Sequence, residues 1–234
     1  MKYTDIFIDF DDTLYDTYGN ANIALAETYT DFGLGQYFEN AKKFYDDYWE
    51  TNVSLWNQYS KGEITRDFLI EERFRKPLSK GKGLEVTTSY CMKISDYFLD
   101  KCATKTGVVE GAYELLEYLK RKGYKLHICS NGFHEVQYKK LSSAKMKEYF
   151  ENVILSEDAG ANKPSPLFFE YALNRTGAQK DKTIMIGDNY NTDITGAMNF
   201  GLDTIFFNRW SLDYEHNKPA TFMVTKLKEI IDIL

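Results

Sequence analysis

The sequence of 234 residues predicts an α/β protein in which helices cover both faces of a parallel sheet and one all-helical segment interrupts it. Three observations predict this class. Short apolar runs alternate with amphipathic helical patterns from Val108 to the C-terminus, which is typical of a doubly wound parallel sheet. The segment between Tyr15 and about Ala103 contains helical patterns and no clear strand. Polar residues follow several apolar runs, at the edge where open α/β sheets bind ligands.

The first strand is the apolar run Ile6–Ile8, whose continuous hydrophobicity indicates a buried parallel strand. The first helix after Val108 covers Ala112–Lys122 and ends at Gly123, a residue type that commonly terminates helices. The later elements continue the alternation and predict a Rossmann-like sheet. They are strands at Lys125–Cys129, Val153–Ser156, Thr183–Ile186, Thr204–Asn208 and Phe222–Val224, and helices at His134–Ser142, from Pro164–Pro166 onward, at Asp193–Phe200 and at the C-terminus.

The helical segment is predicted to form a separate domain inserted after the first strand. The predicted boundaries are residues 16–103 for the inserted domain, and residues 1–15 and 104–234 for the sheet domain. The helix pattern from about Glu85 to Lys101 could belong to either domain, so the exit from the insertion stays open. The segment is rich in aromatic residues, and packing of its own core is the simplest role for them.

Composition excludes several classes of function. A formal net charge of −6 argues against a protein that binds nucleic-acid polymers, since such proteins carry a basic surface. The three cysteines show no CxxC or zinc-ligand spacing, which indicates reduced thiols. The N-terminus has no signal-peptide pattern, and no apolar run approaches the ~20 residues that cross a bilayer. We therefore expect a cytoplasmic protein that does not contact membranes. Its oligomeric state is left open.

Four clusters of polar residues lie at predicted strand ends, and a parallel sheet would bring them to one edge. The clusters are Asp9, Asp11 and Thr13; Ser130 and Asn131; Lys163; and Asp188 with Asp193. Acids beside a buried strand are costly unless a cation or hydrogen bonds compensate them. The sequence therefore predicts an enzyme active site with a bound divalent metal.

The residue types at these ends suit phosphate-ester hydrolysis. Asp9 is a candidate nucleophile that would form an aspartyl phosphate. Asp11 points the same way in extended backbone, and could protonate the leaving oxygen and then activate water. Because two close carboxylates and burial raise one pKa, we expect the raised pKa to serve this acid–base role of Asp11.

The other residues complete a site for a metal and a phosphate. Asp188 would supply a second carboxylate to Mg²⁺, which prefers oxygen ligands and usually keeps several waters while one or two carboxylates and a phosphate bind it. Ser130 and the amides around it, including that of Asn131, could hold phosphate oxygens. Lys163 would add a positive charge for the phosphate and for Asp9. Asp193, at a predicted helix start, and Thr13 would not bind the metal directly but would orient the residues that do.

These residues resemble the four motifs of the haloacid dehalogenase superfamily. Asp9–Leu14 matches its DxDx[TV][LV] motif, Ser130 matches its Ser/Thr after the second core strand, Lys163-Pro164 matches its third motif, and Gly187–Asp193 matches GDxxxxD. The resemblance implies a nucleophilic Asp9, an acid–base Asp11 whose backbone carbonyl also binds Mg²⁺, and a helical cap domain that closes over the site. An acid at the Asp11 position favours phosphatases over carbon–halogen hydrolases.

The inserted domain resembles the cap of pyrimidine 5'-nucleotidases in this superfamily, through Asn52–Tyr59, Gly62–Thr65 and Arg73-Phe74. The resemblance implies a Mg²⁺-dependent phosphomonoesterase whose substrate is a small phosphorylated metabolite, best a nucleoside 5'-monophosphate. The alternatives left open are a sugar-phosphate or phosphoglycolate phosphatase, a phosphosugar mutase, a regulatory phospho-accepting protein and a silent protein that binds a phosphorylated ligand. Individual aromatic residues and Arg73 of the insertion are more simply explained as packing than as substrate contacts.

Overall fold

The computed structural model describes residues 2–213 and 219–234. The chain divides into two compact units. One comprises Met1–Thr17 and Thr106–Leu234, and the other comprises Tyr18–Lys105. The division lies two residues from the boundaries expected at 15/16 and at 103/104.

The first unit is built on a six-stranded parallel sheet of order β3-β2-β1-β4-β5-β6. The central strand β1 has β2 on one side and β4 on the other, so the chain reverses its direction of travel across the sheet beside β1. Ligands bind at such a switch point in open α/β sheets. The strands are β1 Asp5–Ile8, β2 Lys125–Ser130, β3 Asn152–Leu155, β4 Thr183–Gly187, β5 Asp203–Phe207 and β6 Phe222–Val224.

Helices connect these strands and also form the second unit. The α-helices are α1 Thr17–Asp31, α2 Ala41–Ser60, α3 Arg66–Leu78, α4 Thr88–Thr104, α5 Ala112–Arg121, α6 His134–Ser143, α7 Ser156–Ala159, α8 Pro166–Thr176 and α9 Gly196–Phe200. Short 3₁₀ segments lie at Leu34–Gln36, Lys147–Tyr149, Lys180–Lys182 and Leu227–Asp232, and a π-helical segment lies at Tyr190–Thr195. Among the described residues, no helix combines the length and the apolar character needed to cross a membrane.

The two faces of the sheet are covered by different apolar clusters. Ile6 and Ile8 of β1 pack into one cluster with α5, whereas Phe7 packs into the opposite cluster with α8. This division follows from the alternation of side chains along a strand. Because β1 is buried on both faces, every residue from Ile6 to Ile8 is apolar.

The second unit has its own aromatic core. Tyr48 of α2, Phe74 of α3 and Phe98 of α4 contact one another through rings whose centroids lie 5.2–5.4 Å apart. Phe44 of α2 belongs to the same buried cluster. Arg73 is 2% exposed, which agrees with the packing role expected for it. Since this core uses only residues of the insertion, its aromatic content is accounted for locally.

Two predicted helices differ from the structure. The helix expected over Asp193–Phe200 begins earlier, with the π-helical segment Tyr190–Thr195. Its N-cap is Asn189, whose side chain accepts hydrogen bonds from the N–H groups of Asn191 and Thr192, so the prediction of a helix start at Asp193 is wrong. The C-terminal element is a 3₁₀ helix, Leu227–Asp232. The third strand also ends one residue earlier than expected, because Ser156 begins α7.

Candidate active site

The loop after β1 is fixed by backbone and ionic contacts. Asp9 donates its backbone N–H to the carbonyl of Ile186 on β4 at 2.9 Å. Asp12 adopts a positive φ of 61°, a conformation that Asp tolerates better than most residues. Arg209, after β5, binds the carboxylates of Asp12 at 2.7 Å and Asp16 at 2.5 Å. These contacts hold the turn that carries Asp9 and Asp11.

Lys163 is the buried cation of this edge. Its side chain is 1% exposed, and its Nζ donates to Asp9 Oδ1 at 2.6 Å, to Asp193 Oδ1 at 2.7 Å and to the carbonyl of Cys129 at 2.6 Å. Burial lowers the pKa of Lys163, but the carboxylates of Asp193 and Asp9 outweigh it and raise that pKa above its ordinary value. Lys163 therefore stays charged beside the candidate nucleophile.

Asp193 is a support for Lys163. Its Oδ1 accepts from Lys163, and its Oδ2 accepts from the backbone N–H of Asn189 at 3.1 Å. Both oxygens are thus engaged within the protein. A Cβ on Gly187 would lie 2.3 Å from Asp193 Oδ2, so the glycine lets this carboxylate reach the strand end.

Gly187→Ala should therefore destabilise the fold by roughly 1–3 kcal/mol, because the added methyl group must displace Asp193 from a buried ion pair. Gly35→Ala is a matched control, since a Cβ there would make an ordinary 3.7 Å contact with Tyr29, and should change stability by less than about 0.5 kcal/mol. Chemical denaturation of both variants tests this difference. Equal free energies of unfolding for the two variants would contradict the close packing of Gly187 against Asp193.

Asp188 and Asp9 form the candidate metal centre. One oxygen from each of Asp9, Asp188 and Asp193 lies within 4.8 Å of the others. Thr13 Oγ1 donates to Asp188 Oδ1 at 2.7 Å and lies 3.4 Å from Asp9 Oδ2. Since Lys163 and Asn189 occupy both oxygens of Asp193, the carboxylates best placed for a cation are those of Asp9 and Asp188.

The charges at this centre fit a divalent cation. Burial raises the pKa of Asp9 to about 8, despite Lys163, and the Asp193 and Asp11 carboxylates add to the rise. Burial also raises the pKa of Asp188 well above its ordinary value, together with repulsion from Asp9, Asp193 and Asp12. The raised pKa values mean that these crowded carboxyl groups ionise at a cost when no countercharge is present, and a bound cation that prefers oxygen ligands would stabilise their ionised forms.

Asp11 lies in a different environment from the one expected. Its Oδ1 accepts from Lys140 Nζ and from Thr17 Oγ1, both at 2.5 Å, and its Oδ2 accepts from Gln137 Nε2. Burial raises the pKa of Asp11, but the Lys140 charge and these hydrogen bonds outweigh burial and lower that pKa below its ordinary value. The expectation of a raised pKa on Asp11 is wrong for this structure, because sequence reasoning counted the two aspartates and overlooked Lys140.

Ser130 and Asn131 end β2 beside Lys163. Ser130 is 1% exposed, and its Oγ accepts from the backbone N–H of Gly132 at 3.0 Å and from Gln137 Nε2 at 2.8 Å. The side chain of Asn131 pairs with the backbone of Lys163, accepting from its N–H at 2.8 Å and donating to its carbonyl at 2.9 Å. Asn131 would therefore reach a phosphate through its backbone N–H rather than its side chain.

The sequence analysis missed several residues of this edge. Gln137 and Lys140 lie one turn apart on α6, the helix that follows Ser130, and both are buried. The available signal was the i, i+3 spacing of these polar residues on the helix face that also carries the apolar Val136 and Leu141. Thr17 and Arg209 carried no comparable signal in the sequence. Thr17 contacts Asp11, and Arg209 contacts Asp12 and Asp16, only because the fold brings these residues to the loop after β1. The three cysteines are free thiols and buried.

Comparison with known proteins agrees with this architecture. A family model described as haloacid dehalogenase-like hydrolase matches residues 6–201. The chain is 29% identical to pyrimidine 5'-nucleotidase PynA of Streptococcus pneumoniae, over 100% of this chain and 96% of the relative. It is 30% identical to pyrimidine 5'-nucleotidase YjjG of Escherichia coli, over 100% and 99%. A glyceraldehyde 3-phosphate phosphatase of Methanothermobacter thermautotrophicus is 31% identical, over 87% and 84%.

A solved structure shows the same fold. The crystal structure of YfnB from Bacillus subtilis, bound to magnesium, superposes with a TM-score of 0.88 at 26% identity, covering 100% of this chain and 99% of that one. The family model spans most of the sheet unit and the whole helical insertion. With its strand-end aspartates, serine and lysine in one cluster, the chain belongs to the haloacid dehalogenase-like hydrolases.

Proposed function

We propose that this protein is a Mg²⁺-dependent phosphomonoesterase that acts through an aspartyl phosphate on nucleoside 5'-monophosphates, pyrimidine nucleotides first. The observation that carries the proposal is the cluster of Asp9, Asp188, Lys163 and Ser130 at the ends of β1, β2, β4 and the turn before α8. Phosphoryl transfer needs a nucleophile, a metal and positive charge around the phosphate oxygens, and this cluster has groups for each need.

In the first step, Asp9 would attack phosphorus and the bond from phosphorus to the ester oxygen would break. Lys163 and Ser130 would hold the phosphate oxygens, while Lys163 keeps the Asp9 carboxylate in place at 2.6 Å. Mg²⁺ held by Asp9, Asp188 and the backbone carbonyl of Asp11 would neutralise the phosphate charge and align it with the nucleophile. Asp11 would give its proton to the leaving oxygen.

In the second step, water would attack the phosphorus of the aspartyl phosphate. Asp11, now a carboxylate, would accept the proton of that water as the bond to Asp9 breaks and phosphate is released. The ionised Asp11 of this structure, bound by Lys140, Thr17 and Gln137, is suited to this base role. The first step needs it protonated, which requires uptake of a proton before or during substrate binding.

The pyrimidine nucleotide assignment is supported by the names of two relatives that match along the full length of the chain. A triose-phosphate substrate is the second candidate, because a glyceraldehyde 3-phosphate phosphatase matches over 87% of the chain. Both candidates share the same chemistry at the sheet edge. They differ in the part of the substrate beyond the phosphate ester.

A substrate panel tests the proposal. We expect phosphate release from UMP, dUMP and dTMP with Mg²⁺, with kcat/KM at least about tenfold above that for AMP, glyceraldehyde 3-phosphate and phosphoglycolate, and none in EDTA. A tenfold preference corresponds to about 1.4 kcal/mol. Preference for glyceraldehyde 3-phosphate would retain the mechanism and overturn the nucleotide assignment. No release from any phosphomonoester would overturn the proposed activity.

A further inference from the structure

Two side chains of helix α6 donate hydrogen bonds to the carboxylate of Asp11. Lys140 Nζ lies 2.5 Å from Asp11 Oδ1, and Gln137 Nε2 donates to Asp11 Oδ2. Thr17 Oγ1, at the start of α1, donates to Asp11 Oδ1 at 2.5 Å. Each carboxylate oxygen of Asp11 therefore has at least one donor, and both oxygens have a donor from α6.

Both α6 residues are buried at some cost. Lys140 is 6% exposed and Gln137 is 0% exposed. A buried ammonium destabilises a fold unless a countercharge meets it, and Asp11 is the carboxylate that meets Lys140. The ring of Tyr15 lies 5.4 Å from Lys140 Nζ, which adds a favourable cation–π contact. Position 140 thus holds a charge where an apolar residue would pack more simply.

Gln137 connects Asp11 to the phosphate-binding end of β2. Its Nε2 donates to Ser130 Oγ at 2.8 Å and to Asp11. A Cβ on Gly132 would lie 1.8 Å from Gln137 Nε2, so the glycine of the Ser130-Asn131-Gly132 turn is what lets the amide approach. One amide group therefore fixes the distance between the serine and the acid–base candidate.

The contacts of Lys140 differ from those of Lys163. Lys163 binds Asp9 and Asp193, the nucleophile and its support. Lys140 binds Asp11. Two buried lysines are thus divided between the two aspartates of the first motif, and any effect of Lys140 on the reaction passes through Asp11.

We propose that Gln137 and Lys140 are positioning residues that hold the Asp11 carboxylate oriented for both proton transfers. The inference rests on the proposed function of Asp11. As Asp11 gives its proton to the leaving oxygen, the electron pair of the broken O–H bond stays on its carboxylate, and Lys140 and Gln137 stabilise that developing charge. The same contacts leave the carboxylate aimed for the proton of the attacking water, within the short range that proton transfer requires.

Lys140→Met removes the charge and keeps the length of the side chain. We expect kcat/KM for a nucleoside 5'-monophosphate to fall about 10- to 100-fold, the lower part of the range for general acid catalysis. The value for p-nitrophenyl phosphate should fall less than about threefold, because p-nitrophenolate leaves without a proton. Lys140→Arg should restore part of the loss, and Lys139→Met, an exposed neighbour on α6, should leave both values unchanged.

Two further measurements separate positioning from damage to the fold. Mg²⁺ affinity should not change in Lys140→Met, because Lys140 binds the side-chain carboxylate of Asp11, whereas the group of Asp11 proposed to hold Mg²⁺ is its backbone carbonyl. In an Asp11→Asn background, Lys140→Met should lower kcat/KM by less than about a further threefold, because the effects of two residues that act through one group are not additive. Lys140→Gln, which keeps a donor, and Gln137→Leu give independent variants should Lys140→Met fold poorly.

The outcomes distinguish this inference from the proposed function. Equal losses on the nucleotide and on p-nitrophenyl phosphate, or additive losses with Asp11→Asn, would overturn the positioning role of Lys140. An Asp11→Asn enzyme that shows no preference for the good leaving group would instead overturn Asp11 as the acid. A loss of kcat/KM on the nucleotide alone in Asp11→Asn, with no such loss in Lys140→Met or Gln137→Leu, would support Asp11 as the acid. The same result would refute a positioning role for Gln137 and Lys140.

Discussion

Replacing Asp9 by Asn should lower kcat at least about 10⁴-fold, because the amide oxygen is a poor nucleophile and cannot form the aspartyl phosphate. The substitution is nearly isosteric, so the fold should survive. Lys163 would keep its contacts with Asp193 at 2.7 Å and with the carbonyl of Cys129 at 2.6 Å. The loss should therefore be chemical rather than structural.

The measurement is phosphate release together with acid-quenched trapping of ³²P on the protein. Wild-type enzyme should yield a labelled, hydroxylamine-sensitive acyl phosphate, and Asp9→Asn should yield none. Asp181→Asn, an exposed aspartate before β4, is the control and should retain full activity. Label retained on Asp9→Asn would place the covalent intermediate on another residue and refute the covalent mechanism at Asp9.

The sheet edge was predictable from sequence because strand ends carry their own signal. An apolar run that stops at Asp9, and a second that stops at Asp188, place both acids on one edge as soon as the sheet is parallel. Ser130, at the end of β2, follows the same rule. Lys163 does not, because it lies in the turn between α7 and α8, so its prediction at a strand end is wrong and its signal was the Lys163-Pro164 motif. The structure brings all four together, with Lys163 Nζ in contact with Asp9.

The parts that sequence reasoning missed depend on contacts across the fold. Lys140 and Asp11 are 129 positions apart in the chain, and only the packing of α6 beside β1 brings the ammonium to the carboxylate. That one contact reverses the direction expected for the pKa of Asp11. Asp193 was placed at a helix start because an acid there is a common N-cap, whereas Asn189 caps the helical segment and leaves Asp193 to bind Lys163.

Asp188→Asn should have opposite effects on activity and on the stability of the metal-free protein. Activity should fall at least about 10³-fold, since one of two carboxylates for Mg²⁺ is lost. Without Mg²⁺, however, the melting temperature should rise by about 2–4 °C for each 1 kcal/mol gained. The gain arises because the amide removes a carboxylate that repels Asp9, Asp193 and Asp12.

The pH dependence follows from the sign of the same shifts. The pKa values of Asp9 and Asp188 are raised in the folded protein without metal, above the ordinary value of about 3.9 for an unfolded chain. At these two groups the folded protein then binds more protons than the unfolded protein between those values, so their contribution to stability is highest at low pH and declines as pH rises toward about 8, the pKa of Asp9. Mg²⁺ competes with those protons, so its affinity should increase over the same range.

Melting temperatures at pH 6 and pH 8, with EDTA and with Mg²⁺, measure both effects. Wild-type protein should lose stability between pH 6 and pH 8 in EDTA and regain it with Mg²⁺, so that the metal-induced rise is larger at pH 8. Asp188→Asn should show a shallower decline and a smaller response to Mg²⁺, while Asp181→Asn should follow wild type. A metal-induced rise that is larger at pH 6 would mean that the acids at this edge are already ionised and balanced without a cation, and the metal centre would have to lie elsewhere.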